Sequence, residues 1–209
     1  MIPVKVLAVR HLANASQALL QELGIPAGYR SLAMITTDCD DATYIALDAA
    51  TKAADVMVCY GRSFYAGAAN ASTPNAGEVI GIIAARTPGD AKSGMEAVRA
   101  ALERVGFEEV NGVPYLAQTV ASVGSFLAKE AGVPVGSAIA YLIAPPLESM
   151  YALDGALKAA DVKLCKLYTP PSETNFGGGL LSGSQSACDA ACTAFAQSVA
   201  EVAGRPMEG

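Results

Sequence analysis

Asp38, Asp40 and Asp41 crowd three carboxylates into four positions, directly after the apolar run Ser31–Thr36. Acids gathered this way attract cations, and a ring of them about a symmetry axis selects for cations by field strength. Their oxygens also suit magnesium or calcium. The same spacing equally fits a turn whose aspartates cap the helix that follows at Ala42–Ala54. Two further acids stand at strand or helix ends: Glu78 opens an apolar strand, and Glu148 follows Pro145, Pro146 and Leu147. Both also suit solvated element ends.

Other reactive groups are sparse. Cys188 and Cys192 are spaced i, i+4 on one helix face, half of a zinc site, but no second pair with ligand spacing accompanies them. Buried small thiols are the expected state. His11 is the only histidine, so no Ser-His or Cys-His arrangement exists and no enzyme activity is expected. Gly177–Gly179 and Ser184–Ser186 precede a helix without the lysine of a phosphate-binding loop. Ser184 or Ser186 is expected to cap that helix, with the glycines allowing close backbone approach. Arg62, Ser63 and Tyr65 are polar groups in an apolar context, suited to a pore or subunit face.

The elements that must carry these groups are written twice. Residues 46–56 read ALDAATKAADV and residues 152–162 read ALDGALKAADV, with nine of eleven positions matching at an offset of 106. Upstream, Ser16–Gly28 answers Gly124–Gly136 at an offset of 108. An offset near 100 duplicates a whole domain rather than a solenoid turn. The predicted division is 1–108 and 109–209, at the Gly106–Pro114 cluster of turn residues.

Each copy reads as a short helix ended by Gly-x-Pro (15–23; 126–131) and an apolar strand (31–36; 139–144). A loop follows (37–42; 145–149), then the repeated helix with its acid–lysine pair, Asp48 and Lys52 or Asp154 and Lys158. A β-run (56–60; 162–168), a second strand (78–84; 179–183) and a final helix (90–105; 186–202) complete the copy. The mixture predicts an α/β (α+β) fold with helices packed on a small sheet.

Only 16% of the 209 residues are charged, against roughly 25% in a typical soluble domain. Burial against other subunits accounts for such a surface. No apolar run reaches the roughly 18 residues of a spanning helix, and the first twelve residues lack the pattern of a signal peptide, so no membrane partner is expected. With a net charge of −6 and no basic patch, no nucleic-acid partner is expected either. Five irregularly spaced cysteines suit reduced thiols.

The motif A-x-D-x-x-x-K-A-A-D-V, present at both 46–56 and 152–162, resembles the edge helix of bacterial microcompartment shell domains. The stretches SLAMITTDCDDATYIALD, YGRSFYAGAANAS, AYLIAPPLESMYALD and PPSETNFGGGLLSGSQSACDAAC are similar to the tandem-domain, permuted shell proteins of ethanolamine-utilisation compartments. The resemblance covers nearly the whole chain. It implies a homotrimer forming a pseudohexameric tile, with other shell proteins as neighbours and small polar metabolites passing its pores. No cofactor or metal is implied, and the location is the compartment shell in the cytoplasm. By that resemblance Lys52 and Lys158 sit at tile edges, Asp40, Asp41, Glu78 and Glu148 line small pores or a ligand site, and Phe107 is the pore-gating aromatic. The segment VGFEEVNGVPYLAQTVASVGSFL is shorter than the family's linking region and carries Ser122-Val123 where the family has Arg-Thr. A shortened gate follows. The competing reading is a sensory protein that binds a small ligand or metal and builds no shell.

Overall fold

In a computed structural model the chain is described over residues 1–64, 73–170 and 172–207. It divides into two compact units: Pro3–Val105 with Gly124–Leu127, and Met1–Ile2 with Gly106–Val123 and Ala128–Gly209. Tyr65 lies outside the described residues.

The N-terminal unit is a four-stranded antiparallel sheet of order β1-β2-β4-β3, formed by β1 (Val6–Leu12), β2 (Ser31–Thr37), β3 (Val56–Ser63) and β4 (Val79–Ala85). The central strands β2, between Ser31 and Thr36, and β4 are apolar because both faces are covered. Leu32, Ile82 and Ala84 pack with Ala15 and Leu20 on one side. The alternate residues Ala33, Ile35 and Ile83 are buried on the other, as the two-residue side-chain period requires. That second side carries α2 (Asp40–Ala53) and α3 (Pro88–Leu102). Gly94 of α3 sits so close to Ile83 that a Cβ there would lie 2.8 Å from its terminal methyl. The short helix α1 (Gln17–Glu22) is capped by the Ser16 hydroxyl.

The C-terminal unit repeats this order with one added strand. Its sheet runs β5-β6-β7-β9-β8, from β5 (Glu108–Val110), β6 (Val113–Val120), β7 (Ala138–Ala144), β8 (Val162–Tyr168) and β9 (Gly177–Gly183). Its core joins Leu142, Leu153, Leu181, Cys188, Phe195 and their neighbours beneath α5 (Pro146–Ala159) and α6 (Gln185–Gly204). The helix α4 (Ser125–Ala131) comes between β6 and β7 in the chain.

The duplication reaches small irregularities. The edge strands β3 and β8 both slip register, between Val58 and Tyr60 and between Leu164 and Lys166, 106 residues apart. The skipped residues are Cys59 and Cys165, whose thiols bond the adjacent strand at the Ile82 carbonyl and the Ser182 hydroxyl. Left-handed backbone precedes both β4 and β9, at Gly77 (φ 61°) and Asn175 (φ 64°).

Several local expectations are corrected. The predicted loops 37–42 and 145–149 are shorter, because α2 begins at Asp40 and α5 at Pro146. The aspartates do not cap α2: its N-cap is Cys39, which makes no side-chain cap bond, and Asp40 and Asp41 lie in the first turn. The strand predicted over 179–183 begins two residues earlier, at Gly177. There Gly178 (φ 146°) lies against the Leu142 carbonyl oxygen, which a Cβ would strike. Ser184 is the cap of α6, accepting the Ala187 N–H at 3.1 Å. Cys188 and Cys192 are buried free thiols.

Candidate functional site

The acids of the N-terminal unit gather where β2 ends and α2 begins. A hydroxyl net fixes the turn. Thr37 Oγ1 and Thr43 Oγ1 lie 2.7 Å apart, both facing the Cys39 carbonyl at 2.9 and 2.7 Å. The Cys39 N–H returns to Thr37 Oγ1 at 3.2 Å. Glu78 is held beside this turn, its N–H donating to the Thr37 carbonyl at 2.8 Å. Asp38 is anchored from the other direction, accepting the Lys5 backbone N–H at 2.7 Å.

Asp40 and Asp41 are both 7% exposed, unusual for carboxylates. Asp40 accepts the Asp41 N–H at 2.9 Å. Burial nevertheless raises the Asp40 carboxyl above its ordinary range, against a bond from Ser63 that pulls it down. Glu78 is raised too, first by burial and then by the charges of Asp40 and Asp38. The Tyr44 phenol, 2.5 Å from Ser63 Oγ, is pushed up to about 12 by burial and by the charges of Asp40 and Asp41. Burial likewise raises the Cys39 thiol.

The result is a cluster of carboxylates beside hydroxyls, held by the first turn of α2, the end of β3 and the start of β4. Like carboxylates in low dielectric raise one another. Among the described residues, no group of three or more His, Cys, Asp or Glu side chains is placed to hold a metal ion.

Asp40, Asp41 and Glu78, named from the sequence, are thus brought into one unit. Glu148 belongs to the other unit, half-buried in the first turn of α5. Its neighbour Ser149 is fully buried and bonds back to the Pro146 carbonyl at 2.9 Å, much as Thr43 bonds back in the first copy. Phe107 is half-buried, its ring 5.6 Å from that of Phe176 and its carbonyl accepting the Ile2 N–H. Tyr44, Thr37 and Thr43 were not singled out from the sequence. Only a hydroxyl at the fourth position of both repeats, Thr43 and Ser149, offered a signal.

The lysines of the two repeats differ. Lys158 lies 2.5 Å from Asp154, and both side chains are largely exposed. Lys52 lies 3.2 Å from Asp48, whose side chain is fully buried. Asp48 accepts the N–H groups of Gly124 at 2.7 Å and Leu127 at 2.9 Å. Thr51 Oγ1 accepts the Ser125 N–H at 3.1 Å.

The BMC domain family matches residues 31–113. The bacterial microcompartment shell protein EutL of Clostridium perfringens is 53% identical over 211 residues, 99% of this chain and 97% of that protein. EutL of Escherichia coli is 44% identical over 212 residues, 100% of this chain and 97% of that protein. The crystal structure of the ethanolamine utilization protein EutL from Leptotrichia buccalis superposes with a TM-score of 0.95 at 54% identity, covering 100% of this chain and 98% of that one.

Proposed function

Because the chain belongs to the EutL family of bacterial microcompartment shell proteins, we propose that it works as a homotrimeric shell tile through which small polar metabolites pass. The observation that supports this most is the duplication: two units with one strand order in one chain. Three chains supply six such units, and closed symmetry hides the identical faces that the low charged fraction calls for. Such a tile lies in the shell of a cytoplasmic compartment beside other shell proteins. No helix among the described residues is long and apolar enough to cross a membrane.

In this reading Asp40, Asp41 and Glu78 form the acidic mouth of a small pore in the N-terminal unit, favouring cationic or amine-bearing solutes. Glu148 contributes at the matching helix start of the C-terminal unit. Phe107, steadied by Phe176, is the aromatic at the pore gate. Lys52 and Lys158 meet neighbouring tiles at the edges. The protein is a conduit and wall, not an enzyme. A sensory role would use the same carboxylates, and no further feature favours it.

Light scattering during gel filtration tests the oligomer. The expected mass is three times the 21.3 kDa of one chain, constant on dilution. A stable monomer contradicts the proposal.

A further inference from the structure

Asn111 is the one asparagine of the chain that glycine follows. Asn111 and Gly112 form the two-residue turn between β5 and β6. Val110 pairs with Val113 across it, and both turn residues have positive φ, 52° at Asn111 and 80° at Gly112. That is the backbone of a type I′ hairpin, which favours Asn-Gly because these residues tolerate left-handed conformations.

Both residues are exposed. Gly112 lies beyond the last ladder pair, so its N–H takes no part in the sheet. When the turn opens, the Gly112 nitrogen can attack the side-chain carbonyl carbon of Asn111, and the missing Cβ leaves that approach unhindered. The N–Cγ bond forms and the Cγ–Nδ2 bond breaks. The side-chain nitrogen leaves as ammonia, taking the proton of the Gly112 N–H. Water then opens the cyclic imide at either carbonyl, giving aspartate or isoaspartate.

Two other positions each lack one requirement. Asn175 shares the exposure and the left-handed backbone (φ 64°), but the bulky Phe176 follows it. Asp154 precedes Gly155, but inside α5, where helical hydrogen bonding occupies the amide.

We propose that Asn111–Gly112 is a site of spontaneous covalent modification, where conversion to aspartate and isoaspartate loosens the β5–β6 hairpin. Val110 and Val113, on either side of the turn, pack against the core of the C-terminal unit. Isoaspartate lengthens the main chain by a methylene, and a two-residue loop has no room for it. Aspartate keeps the backbone but adds a carboxylate next to a strand that already carries Glu108 and Glu109. It also meets the end of α6: a Cβ on Gly204, the last residue of that helix, would lie 3.8 Å from Asn111 Nδ2. An amide there can donate to the unpaired helix carbonyls, whereas a carboxylate is repelled by them.

The test ages the folded wild type and the Asn111→Gly variant at mildly alkaline pH in heavy-oxygen water, with peptides read by mass spectrometry. Gly-Gly also suits a type I′ turn, so the variant keeps the hairpin and loses the reacting amide. Wild type should take up one heavy oxygen at residue 111, divided between aspartate and isoaspartate peptides, while Asn175 stays unchanged. Hydrogen exchange at Glu108–Val110 should quicken in aged wild type and in Asn111→Asp, and stay slow in aged Asn111→Gly. An Asn111 amide retained in the folded protein overturns the proposal. Its loss from the urea-unfolded chain alone would show that the fold protects the turn. Modification with unchanged exchange would overturn the loosening.

Discussion

Replacing Asp48 by alanine is expected to destabilise the fold by about 3 kcal/mol, as breaking a buried charged pair does. For a chain of this size that lowers the thermal midpoint by roughly 10 °C. The carboxylate is fully buried and holds three donors, the N–H groups of Gly124 and Leu127 and the Lys52 ammonium. Alanine leaves the two amides without an acceptor, and an unsatisfied buried donor costs more than its bond contributed. Asp48→Asn keeps one acceptor oxygen but turns an NH₂ toward the remaining donors, so its loss should be intermediate. Thermal melts followed by circular dichroism decide it. An alanine variant that melts with the wild type would show that these bonds do not hold Gly124–Leu127.

Asp40→Asn is expected to act in the opposite direction and stabilise the protein at neutral pH. The folded protein raises the Asp40 carboxyl above its unfolded value near 3.8, chiefly by burial. Between those two values the folded state binds more protons than the unfolded state. Stability is therefore greatest below the unfolded value and is lost as pH rises through the folded one. Above the folded value the full cost is present. Asparagine does not titrate, keeps an oxygen for the Asp41 N–H, and removes a charge that raises Glu78. Urea midpoints of variant and wild type should diverge as pH rises through the folded value and converge as pH falls below the unfolded one. A variant less stable than wild type at pH 7 would show that the carboxylate is compensated in the fold. An acid kept at the expense of stability marks a site maintained for its charge rather than its packing.

The contrast between Asp48 and Asp154 shows where sequence reading stops. Their surroundings in sequence match at nine of eleven positions, and both acids reach a lysine four residues on. One is nonetheless sealed and the other exposed, because the difference is made by Gly124–Leu127, more than 70 residues from Asp48 in the chain. Local pattern cannot carry that information. The repeat itself was legible, because duplication preserves a helix whose apolar face, acid and lysine recur together.

The strands were legible where both faces are buried. Runs such as Ala138–Ala144 are apolar throughout. The edge strand β1 was not legible, since its exposed residues, Arg10 and His11 among them, break any apolar run. Gly112 and Pro114 made β5 and β6 read as a link between copies, although Gly112 (φ 80°) with Asn111 (φ 52°) forms the tight turn that joins them. At the acidic site, the aspartates were visible as a cluster but their burial was not. The partnership of Tyr44 with Ser63 spans 19 residues and two elements, so it exists only once β3 has been laid beside α2.

The central claim, that the chain is a tile of a shell, is met most directly by negative-stain electron microscopy of the concentrated protein, alone and as the Lys52→Ala, Lys158→Ala double variant. Wild type should form flat sheets with a hexagonal repeat. The double variant should lose the sheets while its mass stays at three chains. Absence of ordered sheets from wild type under every condition that concentrates intact trimers would contradict the account. Unaltered sheets from the double variant would remove both lysines from the tile edge.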